Sequence, residues 1–277
     1  MAKYELKDKV VLITGSTGGL GLAVAQALRT KGAKLALLDL DLQKLEAQAK
    51  QLGGDSVAAA WVADVCSLES MQNAFEKVAK HFGRIDVVIA GAGIGAVDAL
   101  EHIDPQNFER TIDINLNGVF RTFRAALPYV KLTQGYLLAI SSLAAFVHAP
   151  LNGHYAASKA GVWALCDSLR LELQHLNIGV GSFHPTFFKT PMMDAVQADP
   201  VGHAVWNGNT GIWKYVALEQ VVNDLVSGIE KRKELIVVPK NNHFVTSAPV
   251  LLRRLIEKIG FDRVELQKIM RLAANRT

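Results

Sequence analysis

The chain has 277 residues, half of them apolar and one-fifth charged, which excludes a disordered segment and supplies a core for one large α/β unit or two small domains. The formal charge of +4 and the pI near 9.0 would suit a polyanionic partner if the charge were spread over the body. Seven basic against three acidic side chains after Val250 account for all of it, so the first 250 residues are neutral and offer nucleic acid no basic face.

In chain order, short β-rich apolar runs at 10–13, 35–38, 58–62, 87–90, 136–140, 179–183 and 235–238 alternate with segments of helical periodicity at 20–31, 42–52, 68–81, 108–130, 155–174 and 218–231. Seven strands alternating with helices predict a doubly wound parallel sheet covered on both faces, because right-handed crossovers place the helices there. No repeat or linker divides the chain. Residues 1–240 read as one domain with a lid over about 190–216, and residues 241–277 as an amphipathic helical tail. Cys66 and Cys166 are too few for a disulfide framework or a metal cluster and read as buried thiols in a reducing compartment. Neither a signal core nor a spanning run is visible, so a cytoplasmic protein is expected.

The first strand runs directly into Thr14-Gly15-Ser16-Thr17-Gly18-Gly19-Leu20-Gly21 and then a helix. Glycines in such a turn let backbone N–H groups approach a pyrophosphate at a helix N-terminus, where the macrodipole favours an anion. Asp39 ends the second strand, 24 residues after Gly15, roughly where a ribose-binding carboxylate is expected. It would repel a 2′-phosphate, and no Lys or Arg in 16–18 or directly after Asp39 compensates, so NAD is favoured over NADP. The alternative for Asp39 is a helix cap. Asp64 could receive an adenine amino group beside an apolar Val65, or cap the next helix. Ala90-Gly91-Ala92-Gly93 ends the fourth strand almost without bulk, which suits either a cofactor against bare backbone or close packing.

Tyr155 and Lys159 lie four residues apart on one helix face. For a phenol to act as acid and base at neutral pH its pKa must fall from near 10 to near 7, about 4 kcal/mol, which a cation about 4 Å away can supply. Ser142 precedes Tyr155 by 13 residues at the end of a strand, with Ser141 as its alternative, and Asn115 lies on the preceding helix. With these motifs in this order the chain resembles the short-chain dehydrogenase/reductase family from about Lys7 to Pro239.

The resemblance implies a Rossmann-type fold and assigns roles. Tyr155 would exchange a proton with the reacting oxygen, and Lys159 would bind the nicotinamide ribose and lower the phenol's pKa. Ser142 would hydrogen-bond the substrate oxygen, and Asn115 would hold a water linking Lys159 to solvent. Pro185 and Thr190 match a segment whose Thr contacts the nicotinamide carboxamide. Two departures stand out: Ala90-Gly91-Ala92-Gly93 replaces an Asn-Asn-Ala-Gly run, and Thr186 replaces a Gly after Pro185.

Phe187, Phe188, Met192, Met193 and Trp206, with Val196, Trp213 and Tyr215, sit where the family places its substrate loop; their apolar, flexible character suits a lipophilic secondary alcohol or ketone. A lid packed on the body or a subunit interface is the alternative. The family also implies a homodimer or homotetramer. The tail reads as two amphipathic helices at 249–259 and 261–272. Leu251, Leu252, Leu255, Ile256 and Ile259 form an apolar stripe flanked by Arg253, Arg254 and Lys258, fit for docking on protein or for peripheral contact with an acidic membrane. NAD-linked oxidation of a lipophilic alcohol is the leading function. A β-ketoacyl reductase and a catalytically silent dinucleotide sensor are the rivals.

Overall fold

The computed structural model describes residues 3–95 and 97–274, except for the side chains at 250, 253–255 and 263. The seven apolar runs become β1 (Val10–Thr14), β2 (Lys34–Asp39), β3 (Ala58–Val62), β4 (Val87–Ala90), β5 (Tyr136–Ile140), β6 (Gly179–Pro185) and β7 (Leu235–Val238). They pair in parallel in the order β3-β2-β1-β4-β5-β6-β7. Helices α1 (Gly19–Thr30), α2 (Leu42–Gln51), α3 (Leu68–Phe82), α4 (Pro105–Ile112), α5 (Gly118–Thr133) and α6 (Gly153–Leu173) follow the first five strands. The winding direction reverses between β1 and β4, and at such a switch point the loops leaving the two strands splay apart and open a crevice at their carboxyl ends.

Two core layers sandwich the sheet. Alternate residues of β1 separate them: Val10 and Leu12 pack with α3, α5 and α6, while Val11 and Ile13 pack with α1, α2 and a later helix, α9 (Leu218–Glu230).

The expected helix over 108–130 is instead α4, a wider π turn at Asp113–Asn117, and α5. Its start moves forward because Asp104 accepts from the Gln106 N–H at 2.9 Å and Pro105 sets the first turn. The π turn carries Asn115, fully buried, whose side chain is fixed from outside the helix at Ile94.

The lid between β6 and α9 contains α7 (Pro191–Ala198), α8 (Pro200–Val205) and a single turn at Gly211–Trp213. After β7 come α10 (His243–Ser247), α11 (Pro249–Gly260) and α12 (Arg263–Ala274), one short helix more than the periodicity predicts. Asp262 starts α12 by accepting from the N–H groups of Val264 and Glu265. Ile269 and Ala273 of α12 are buried with Val201, Val205 and Trp206, so this helix docks on the lid of its own chain. Leu251 and Ile259 of α11 stay exposed, while the expected stripe and flanking positions at Arg253, Arg254 and Leu255 lie outside the described side chains. No helix among the described residues is long and apolar enough to cross a membrane.

Candidate active site

A cleft of about 1000 Å³ follows the crevice from Asp39 to Trp213. Its floor at the β1 end is bare backbone. Gly15 has φ +68°, and a side chain there would meet the Ala92 backbone at 2.8 Å, so the ends of β1 and β4 touch. The Thr14 hydroxyl oxygen accepts from the N–H groups of Gly91 and Ala92, at 3.0 and 3.3 Å, and ties the two loops together. Small residues at 90–93 therefore serve this packing as well as the cleft. Helix α1 begins at Gly18 with no side-chain cap and no acid in its first turn, leaving positive N–H dipoles facing the cleft.

Asp39 caps no helix; Asp41 does, accepting from the Lys44 N–H at 3.1 Å. The Asp39 carboxylate accepts from the Thr17 N–H (3.0 Å), the Thr17 hydroxyl (2.6 Å) and the Leu40 N–H (2.8 Å), which aims it along the cleft rim. Lys44 also reaches that rim, paired with Asp41 at 3.0 Å, a basic group that lies five residues past Asp39 and comes to the rim by the first turn of α2. Asp64 lines the cleft beside Val65 and accepts from the Cys66 N–H at 2.8 Å, while Ser67 caps α3.

At the other end, Tyr155 and Ser142 line the same cleft, and the Ser142 side chain lowers the phenol's pKa. Ser141 is turned away, its hydroxyl donating to the Lys159 carbonyl at 2.9 Å, so Ser142 is the serine that meets the tyrosine. Lys159 is 4% exposed; its Nζ donates to the Ile140 carbonyl at 2.9 Å and stands 5.5 Å from the centre of the Tyr155 ring. Burial pulls the ammonium down to about 8. The lowered phenol expected from the sequence does not arise from the chain alone: burial raises the Tyr155 pKa, and only the neighbouring Ser142 side chain opposes it. The physical reason is desolvation, which disfavours phenolate and ammonium alike when both are enclosed.

Asn115 Oδ1 accepts from the Ile94 N–H at 2.8 Å, and Nδ2 donates to the Ile94 carbonyl and the Ser158 hydroxyl at 2.9 and 3.2 Å. It lies behind the cleft wall, with Gly93 between its amide and the Lys159 ammonium. Thr190 caps α7 at 3.2 Å and packs, with Pro191, directly on Gly19, bringing the lid over the start of α1. Thr186 is not among the residues with left-handed backbone and donates its N–H to Val238, so the turn there tolerates its β-branch.

The profile of the short chain dehydrogenase family matches residues 9–201. The chain belongs to the short-chain dehydrogenase/reductase family. Over 210 residues, 75% of this oxidoreductase and 77% of the relative, it is 34% identical to a D-threitol dehydrogenase from Mycolicibacterium smegmatis. It is 32% identical over 192 residues, 69% of its length and 78% of the relative's, to a 3-oxoacyl-[acyl-carrier-protein] reductase FabG from Thermotoga maritima. The crystal structure of gox2181 superposes with a TM-score of 0.77 at 28% identity, covering 84% of this chain and 95% of that one.

The fold brings Gly15, Thr17, Gly19, Leu20, Gly21, Asp39, Asp64, Val65, Gly91, Ala92, Pro185 and Thr190 to the same cleft as Ser142, Tyr155 and Lys159. Phe187, Phe188, Met192, Met193 and Trp206 line its other end. Ser16 and Ala90 are not brought there. Ser16 is fully buried on Gln48, which it meets at 3.1 and 2.9 Å, and Ala90 points into the core below the sheet's edge loops.

Sequence reading missed His184, fully buried on β6. The Ser142 carbonyl can only accept, so His184 Nδ1 donates to it at 3.0 Å, and Nε2 accepts from the Ser182 hydroxyl at 2.8 Å. Burial pulls His184 down to about 4, keeping it neutral as this arrangement needs. A lone histidine before Pro185 carries no spacing signal, since its partner lies just past the end of the neighbouring strand.

Proposed function

We propose that this dehydrogenase/reductase interconverts a lipophilic secondary alcohol and its ketone with NAD. One observation carries the reading: Ser142 and Tyr155, backed by buried Lys159, share one cleft with a wall that includes Phe187, Trp206 and Trp213. The uncapped start of α1, the bare floor at Gly15 and the carboxylate of Asp39 fit a dinucleotide, with its pyrophosphate at α1 and its adenosine ribose at Asp39. Thr190 and Pro185 flank the place for the nicotinamide, and Lys159 would hold its ribose.

The bound nicotinamide supplies the hydride acceptor or donor. Tyr155 exchanges the proton of the substrate's hydroxyl or carbonyl oxygen, and Ser142 donates a hydrogen bond to that oxygen. His184, holding the Ser142 backbone from beneath, fixes the serine's position against the phenol. A buried Lys159 cation and a cationic nicotinamide together oppose the burial that holds the phenol up. Asn115 holds the 93–94 backbone beside the lysine and supports the proton path there. The catalytic body extends to residue 240, with the lid at 190–216. The apolar wall favours a ring-bearing or branched alcohol over a polyol, because burying hydroxyls against indoles leaves them without partners.

A spectrophotometric panel of secondary alcohols graded in size, with NAD and NADP, tests the proposal. Turnover rising with apolar bulk is expected; no turnover of any alcohol or ketone would return the chain to a dinucleotide-binding role. Exposed Phe120 and Leu132 on α5 and Leu171 on α6 support self-association through these helices into a dimer or tetramer. Light scattering of Phe120→Lys checks that assembly. Exposed Leu251 and Ile259 in a basic tail support contact with an anionic membrane; unchanged vesicle sedimentation after replacing both by Gln would remove that reading.

A further inference from the structure

A chain of aromatic rings leads from the catalytic cleft to the C-terminal helices. Phe187, Trp206 and Trp213 line the cleft that holds Tyr155. The Phe187 ring is 4.8 Å from Trp206 and 6.1 Å from Trp213, and the indoles are 5.5 Å apart. Phe261, between α11 and α12, does not line the cleft, yet its ring is 5.3 Å from Trp213 and tilted 33° to it. The preceding Gly260 lies so close that a side chain there would come within 2.5 Å of the same indole. Trp213 itself ends a single turn, Gly211–Trp213, whose backbone is tied to Thr210 and to the Asn209 side chain, so the orientation of its indole is left to the rings around it. Trp206 is held from the tail as well, by Ile269 and Ala273 of α12, which share its buried cluster.

We infer that the C-terminal helices are a specificity element of the site, with Phe261 as a positioning residue that sets the far wall of the substrate compartment through Trp213. This rests on the alcohol/ketone reading above. Phe187 and Trp206 pack on the cleft side of this indole; without a ring behind it the indole could tilt away from the cleft, and a bulky substrate would have to order it on binding, whereas Phe261 fixes the wall in advance. Small alcohols that end short of the wall gain nothing from this. The neutral body therefore carries the chemistry, and the tail selects among its substrates by size.

The test compares full-length wild type with Phe261→Ala and Phe261→Tyr, using 1-phenylethanol and 2-butanol with NAD. Phe261→Ala should lower kcat/KM for 1-phenylethanol by roughly three- to ten-fold, chiefly through KM, the size of one aromatic contact. Its kcat/KM for 2-butanol and its Kd for NAD should stay within about two-fold, and Phe261→Tyr should restore the wild-type ratio. An unchanged ratio between the alcohols overturns the inference. So does an equal loss toward both alcohols and NAD, which would make Phe261 a support of the fold alone. If wild type oxidises neither alcohol, the functional proposal fails separately. The tail is then judged by quenching of tryptophan emission by 1-phenylethanol in the NAD-bound protein. Weaker binding to Phe261→Ala upholds the inference; equal or absent binding overturns it.

Discussion

Replacing Asp39 by Ala should reverse the dinucleotide preference. The carboxylate is held by the Thr17 N–H, the Thr17 hydroxyl and the Leu40 N–H, so it cannot swing away from a 2′-phosphate without breaking charge-assisted hydrogen bonds. Two unit charges about 4 Å apart at an effective dielectric near 20 repel by about 4 kcal/mol. Asp39 is only half-buried, and screening at the cleft mouth cuts this to roughly 2 kcal/mol, a factor of about 30 against NADP. The lost hydrogen bond to the 2′-hydroxyl weakens NAD by about ten-fold more. The ratio of kcat/KM for NAD to that for NADP should therefore fall by a few hundred-fold, with the freed Thr17 donors available to the phosphate. Initial rates with both dinucleotides, checked by calorimetric titration, measure it. A ratio unchanged to within about three-fold would refute the placement of the ribose at Asp39. Lys44 is well exposed and shared with Asp41, so Lys44→Ala in the Asp39→Ala background should weaken NADP by only a few-fold.

Three further outcomes follow from the same geometry. Tyr155→Phe should lower kcat by roughly 10² to 10⁴ while dinucleotide affinity stays within about three-fold, as read by titration; comparable loss of both would make Tyr155 a binding residue. Lys159→Met should abolish turnover yet leave stability at pH 7 equal to wild type or up to about 2 kcal/mol higher. Holding a buried ammonium whose pKa is pulled from 10.5 to about 8 costs about 3 kcal/mol, partly offset by its bond to the Ile140 carbonyl. In wild type that cost is present below pH 8 and fades as pH rises to 10.5, because the unfolded chain keeps the proton longer. A urea-measured loss above about 1 kcal/mol in the Met variant contradicts this. His184, lowered from 6.5 to about 4, stabilises the fold above pH 6.5, and that contribution is lost as pH falls toward 4 because the unfolded chain takes up the proton first. Urea unfolding at pH 7 and pH 4.5 should show wild type losing about 2–3 kcal/mol more than His184→Asn; parallel losses would place the acid sensitivity elsewhere.

The alternation of apolar runs with helical segments determined the fold class by itself, because a strand buried on both faces has to be continuously apolar and a covering helix has to be amphipathic. The Tyr155-to-Lys159 spacing, Ser142 at a strand end and Asp39 after the second strand were legible for the same reason: one element's geometry places each of them. What depended on contacts between distant elements was not legible. Ser16 turned out to face Gln48 across the β1–α2 layer, and the helix before β5 broke at Asn115 because its amide binds Ile94. Lys44 reached the Asp39 end of the cleft by the turn of α2, and His184 reached the Ser142 carbonyl from a neighbouring strand. The direction of the Tyr155 pKa also belonged to the tertiary structure, since desolvation depends on everything that encloses the phenol and spacing reports only the nearest cation. The basic tail showed the same division. Its charge and amphipathic pattern were properties of the sequence, but that α12 covers the lid and Phe261 backs Trp213 was decided only when the chain folded over its own cleft.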